Sequence, residues 1–77
     1  MAISPAQCRA ARGLLDWSQT ELAQRMNVDR ISVARFEAGT VVSANTVRAI
    51  QERLEKGGVR FISGTTLAGA GVRLAKP

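Results

Sequence analysis

Residues 18–39, SQTELAQRMNVDRISVARFEAG, leave this chain of 77 residues few ways to fold. Ser18 offers a hydroxyl to an orphan amide at a helix start, and Glu21 three residues on would complete a capping box. Leu22, Ala23 and Met26 then recur at helical spacing and form a short inner stripe. Asn27 tolerates positive φ and can stop a helix as Gly does. Val28, apolar, is expected to plug the turn into the core. Asp29 caps a second helix, with Val33 and Phe36 inward and Gly39 closing it. Helices this short are marginal alone in water, so each must pack on its neighbours.

The flanks supply the neighbours. Ser4-Pro5 is an N-cap followed by Pro at the first helical position, and Cys8, Ala11 and Leu15 make one apolar stripe. Asp16-Trp17-Ser18 ends that helix and begins the next, and Trp17, beside Leu14 and Leu15, is expected in the core. After Thr40-Val41-Val42, Ser43 caps a last helix with Val47, Ile50 and Leu54 inward and Gly57 at its end. The fold expected for residues 1–58 is therefore all-α, four helices joined by tight connections.

Composition changes after Gly57-Gly58. The last stretch, 59–77, carries Arg60, Arg73 and Lys76 with no acid, while residues 1–58 hold 8 basic and 6 acidic residues, a balance of +2. Gly58-Val59-Arg60-Phe61 loosely repeats as Gly71-Val72-Arg73-Leu74. Both alternate with period two, placing Val59, Phe61, Val72 and Leu74 on one side and Arg60 and Arg73 on the other. A short C-terminal β-strand or hairpin tail is expected, with a Gly-rich loop over 63–70; a solvated tail is the competing reading. An isolated hairpin is not stable in water. With the helices already satisfying their own stripes, a second copy is the expected cover, so Val59, Phe61, Val72 and Leu74 are candidates for dimerisation. Truncation after Gly57 is then expected to leave a folded helical monomer.

Much chemistry is excluded by what the sequence lacks. There is no His, no Tyr and one Cys, so no His-based catalytic relay, no usual zinc ligand set and no internal disulfide can form. No catalytic residue, metal site or cofactor is expected. No apolar run is long enough for a membrane span, and residues 1–8 lack the pattern of a secretory signal, so an intracellular, cytoplasmic setting is expected. Eleven Lys+Arg against six Asp+Glu give +5. Such a basic module most often meets nucleic acid, although charge alone leaves an acidic protein partner open.

Two short capped helices across a tight turn have the geometry of a helix-turn-helix, whose second helix enters the major groove. The stretch resembles the lambda-repressor-like, Cro-type (XRE) family. The resemblance lies in Ser18-Gln19, Leu22-Ala23, Val28, Val33 and Glu37-x-Gly39, with Arg9 before Arg12-Gly13-Leu14 in the first helix. Asn27 stands where many members have Gly, and Ser43 where many have Pro. The resemblance implies a structural ion pair between Arg9 and Glu37. It also implies that Gln19, with Thr20 beside it, holds a DNA phosphate at the start of the second helix.

With Val33 and Phe36 inward, the third helix presents Arg30, Ile31, Ser32 and Arg35. Arg30 can offer two donors to guanine, Ile31 suits a thymine methyl, and Arg35 can read a base or clamp a phosphate. Arg25, Thr40 and Arg48 are candidates for the DNA backbone. The expected function is a sequence-specific regulator of double-stranded DNA acting as a homodimer, since one such module buries little surface. With no sensor domain in these residues, repression or autoregulation by occupancy is the expected mode. The rival reading is an antiactivator or antitoxin-type protein that masks another regulatory protein from the same fold.

Overall fold

A computed structural model of the chain describes residues 2–64 and 69–75. Among these residues the order is α1 (Pro5–Leu15), α2 (Gln19–Met26), α3 (Arg30–Glu37), α4 (Ala44–Gly57), β1 (Val59–Ile62) and β2 (Gly71–Leu74). Three helices start on serine. The hydroxyls of Ser4, Ser18 and Ser43 accept from the amides of Gln7, Glu21 and Thr46 at 3.1, 3.0 and 3.1 Å. The reciprocal capping box forms at Ser4, where Gln7 Oε1 accepts from the Ser4 amide at 2.9 Å. It does not form at Ser18 as expected, because the Glu21 carboxylate turns instead to Arg25 at 2.8 Å, one helical turn on. Asp29 occupies the N-cap of α3 without a side-chain bond.

The first three helices end alike. Asp16, Asn27 and Gly39 adopt left-handed backbone at φ 59°, 58° and 86°. The amides of Trp17, Val28 and Thr40 then reach back to the carbonyls of Arg12, Ala23 and Arg35 at 2.9–3.0 Å, the longer bond of a Schellman motif. Val28 does not plug the core. The turn is held by these backbone bonds, and its side chain stays exposed. At the far end of α4 it is Gly58, at φ 117°, that turns left-handed, with Gly57 still helical.

Leu22, Val33, Ile50, Leu54, Cys8 and Ala11 are wholly buried where the four helices meet. Trp17 packs on this core, half-buried, with the Arg25 guanidinium 4.2 Å above its ring.

The hairpin is antiparallel, with Val59 opposite Leu74, Arg60 opposite Arg73, Phe61 opposite Val72 and Ile62 opposite Gly71. Its apolar side does not wait for a second chain. It lies on α1 and α4, with Val59 only 3% exposed and Phe61 and Val72 packed against the core; Leu74 alone of the four stays largely outside, at 48%. The helices leave this side of the core open, and the hairpin closes it. Truncation after Gly57 would therefore strip Val59 from the core. The expected loop over 63–70 lies partly outside the described residues. Two polar links fix the hairpin: Gln7 Nε2 donates to the carbonyls of Ile62 and Gly71 at 3.1 and 2.9 Å, and the Ala75 amide donates to Gly58 O at 2.7 Å.

Candidate nucleic-acid interface

The outward side of α3 follows from what α3 buries. Val33, Phe36 and Glu37 turn inward. Arg30, Ile31 and Arg35 are exposed and Ser32 is half-buried, with Ile31 at 61%. Single exposed apolar residues are ordinary on protein surfaces, and Val41, beyond α3, is more exposed still at 92%.

Behind that surface stands Glu37. Its Oε2 accepts from Arg12 Nε at 2.6 Å and from Cys8 Sγ at 3.1 Å. Its Oε1 accepts from Arg12 Nη2 at 2.6 Å and from Gln19 Nε2 at 3.2 Å. The bidentate fork is the strong geometry for an arginine and a carboxylate. Burial alone would raise the Glu37 pKa, but the bonds from Arg12, Cys8 and Gln19 outweigh it and hold the carboxyl below its ordinary range. Burial, reinforced by the carboxylate it faces, pushes the Cys8 thiol strongly up, so it stays protonated as a donor.

The ion pair therefore involves Arg12, not Arg9. Cys8 and Arg12 lie one turn apart on the same stripe of α1, whereas Arg9 is displaced around the helix. Arg9 instead donates from Nη1 to the Glu37 carbonyl at 2.7 Å, satisfying an acceptor at the C-terminal end of α3. Arg12 also donates from Nη1 to Trp17 O at 3.0 Å, so this one guanidinium ties α1, the α1–α2 corner and α3 together.

Gln19 carries the network outward. While its amide nitrogen holds Glu37, its Oε1 accepts from Arg30 Nη1 at 3.4 Å. The start of α2 is thus joined to the first residue of α3, with Ile31 and Arg35 exposed further along α3 and Thr20 exposed next to Gln19 in the chain. Arg25 is not brought to this group. It is committed to Glu21 and to the face of Trp17. Thr40 is exposed just past α3, its amide closing that helix. Arg48 lies on α4, in a shallow groove with Ala2, Ala44, Gln51, Glu52 and Glu55. Sequence reasoning missed Arg12 as the partner of Glu37 and Gln7 as the tie to the hairpin. The i, i+4 relation of Cys8 and Arg12 was the signal for the first.

Among the described residues no group of His, Cys, Asp and Glu is arranged to hold a metal ion, and no helix is long and apolar enough to cross a membrane. A family model described as helix-turn-helix matches residues 9–60, more than half of the chain and all of α2, α3 and α4. No curated protein matches it.

Proposed function

The chain belongs to the lambda-repressor-like (XRE) helix-turn-helix family, a family of DNA-binding regulators, and from that premise we propose that it is a sequence-specific regulator that occupies a pseudo-palindromic duplex site as a homodimer. The observation that carries the reading is the Arg30–Gln19–Glu37 chain of hydrogen bonds, which holds a guanidinium in place at the exposed start of α3. In this reading Arg30 addresses guanine O6 and N7, Ile31 a thymine methyl, and Arg35 the next base or phosphate. Gln19 and Thr20 meet a phosphate at the start of α2, and Thr40 and Arg48 meet the backbone. Pairing of two copies doubles a small contact surface and adds a spacing requirement, so regulation by occupancy, as a repressor or autoregulator, follows.

The test is selection from random duplexes, followed by anisotropy titrations of the selected site against salt. Arg30→Ala is expected to weaken the selected site by about 1–3 kcal/mol and to relax one base position. Arg48→Ala should weaken all sequences alike and lower the salt slope by about one. Sedimentation equilibrium on the full chain should return twice the monomer mass. A selection with no enriched sequence, together with weak binding at every salt concentration, sinks the reading and leaves a protein-masking regulator in its place.

A further inference from the structure

We infer that the outward face of the β1–β2 hairpin is a second phosphate-binding surface, one that grips the backbone of a duplex segment other than the one α3 enters. The inference rests on the DNA-binding reading above and adds a second contact to it.

Arg60 and Arg73 face each other directly across the ladder. Directly opposed strand residues have Cβ atoms roughly 4.5–5.5 Å apart, and like charges there destabilise the pairing. Both side chains are exposed, and among the described residues neither makes a hydrogen bond or ion pair. All six acidic residues of the chain precede residue 58 in sequence. Among the described residues no ion pair offsets the repulsion, and an anion seated between the two guanidinium forks would. Phosphate oxygens match that fork geometry.

The shape of the face selects the kind of phosphate. Beside the arginines lie Ile62, 40% exposed, and Gly71, which has no side chain. Two strands with these exposed positions form an open face rather than a cup for a free anion. Among the paired residues of that face Ile62 is the one apolar side chain, so the described face also lacks the apolar centre of a protein interface. An extended phosphate backbone fits both properties.

Placement makes this a separate segment. On α1, Gln7 turns to the hairpin, while Cys8, Arg9 and Arg12 turn to α3. With α1 between them, the hairpin's outer side and the outer side of α3 face different directions. One chain would thus hold two stretches of duplex, the second at high effective concentration once the first is bound.

The experiment immobilises the selected duplex on beads, saturates it with protein and measures retention of a second, fluorescent duplex. Wild type should retain it. The double variant Arg60→Gln/Arg73→Gln should bind the immobilised duplex within about twofold of wild type with unchanged base preference, yet lose about tenfold or more of the second duplex. Arg73→Glu places an opposite charge across from Arg60, so it should raise the melting temperature while abolishing retention, which separates the effect from misfolding. Undiminished retention by either variant overturns the inference, since dimerisation alone would then bridge the duplexes. Poly-glutamate displacing the second duplex as well as unlabelled duplex does overturns it in favour of an acidic protein partner. Wild type that binds the first duplex but retains no second refutes the inference alone, whereas wild type that binds neither refutes the DNA-binding reading as well.

Discussion

Glu37 and Gln7 are the buried polar side chains among the described residues, each 6% exposed, and each fastens one side of the molecule to α1. On the helix-turn-helix side, Glu37 brings a charge into the core and surrounds it with Arg12, Cys8 and Gln19. On the hairpin side, Gln7 brings a neutral amide, with Oε1 capping α1 and Nε2 bonded to the carbonyls of Ile62 and Gly71, the pair at the end of the ladder where β1 stops and β2 starts. Both groups are fully satisfied, so neither costs what an orphaned polar group would. They differ in what happens on disturbance. Losing one partner of a buried ion pair strands a charge, while losing a neutral amide strands only hydrogen-bond partners. Helix α3 is therefore anchored by a junction that responds to pH, and the hairpin by one that does not.

The largest effect expected from breaking this contrast is at Glu37. Glu37→Ala should cost about 3–5 kcal/mol, because the Arg12 charge remains half-buried without its carboxylate. Chemical denaturation gives the value. A double-mutant cycle should show strong coupling of Glu37 with Arg12 and much weaker coupling with Arg9, which touches only the Glu37 carbonyl. Since the folded carboxyl sits below its ordinary range, its contribution is complete above the unfolded Glu value of about 4.3 and is lost as pH falls through the depressed folded value. Glu37→Gln should remove that part of the acid dependence. An unchanged acid limb in the variant would locate the titrating group elsewhere.

Next in size is Gln7→Leu, expected to cost about 1–3 kcal/mol by leaving the Ile62 and Gly71 carbonyls without their side-chain donor and α1 without half its capping box. Hydrogen exchange should speed up at Phe61 and Val72 well before Leu22 or Val33, and the loss of stability should be the same at about pH 3 and about pH 7, on either side of the ordinary carboxylate values. Exchange rising together in strands and helices would show instead that the two sides open as one unit.

What could be read in the sequence divides along the same line. Helix starts at Ser4, Ser18 and Ser43 and stops at Asn27 and Gly39 are local chemistry, decided within a turn, and they are where the sequence puts them. So are the inward residues Leu22, Val33, Phe36, Ile50 and Leu54, and the shared side of Val59, Phe61, Val72 and Leu74. The exposure of Arg30, Ile31 and Arg35 was legible by subtraction, once Val33 and Phe36 were placed inside. Which arginine meets Glu37 was not, because that depends on how α1 is rotated against α3. Competition also misled: Glu21 chose Arg25 over its own helix cap, and Gln19 was already bonded to Glu37 and Arg30. The fastening of the hairpin by Gln7 spans 55 residues to Ile62, a separation that no local pattern reports.

The smallest prediction tests whether the two sides meet mechanically at Trp17. Gly13 lies inside α1 and Gly57 is the last residue of α4, neither with positive φ, so intrinsic propensity favours Ala at each, by up to about 1 kcal/mol at Gly13 and by less at the helix end. At Gly13 a Cβ would meet nothing within 4 Å. At Gly57, one residue before the turn into β1, it would lie 2.6 Å from Trp17 Cη2 and 2.8 Å from Leu15 Cδ1. The indole cannot bend away as a flexible chain could; it must shift as a plate, and Arg25 is stacked on it. Gly13→Ala should therefore raise the melting temperature, by about 0.5–1 kcal/mol of stability, while Gly57→Ala should lower stability by about 1 kcal/mol as overpacking outweighs propensity. Trp17 is the only tryptophan, so its emission reports directly on the displacement. Equal stabilisation by both substitutions, with unchanged emission from Gly57→Ala, would mean that the α1–α2 corner gives way freely and that Trp17 does not couple the helix-turn-helix side to the hairpin.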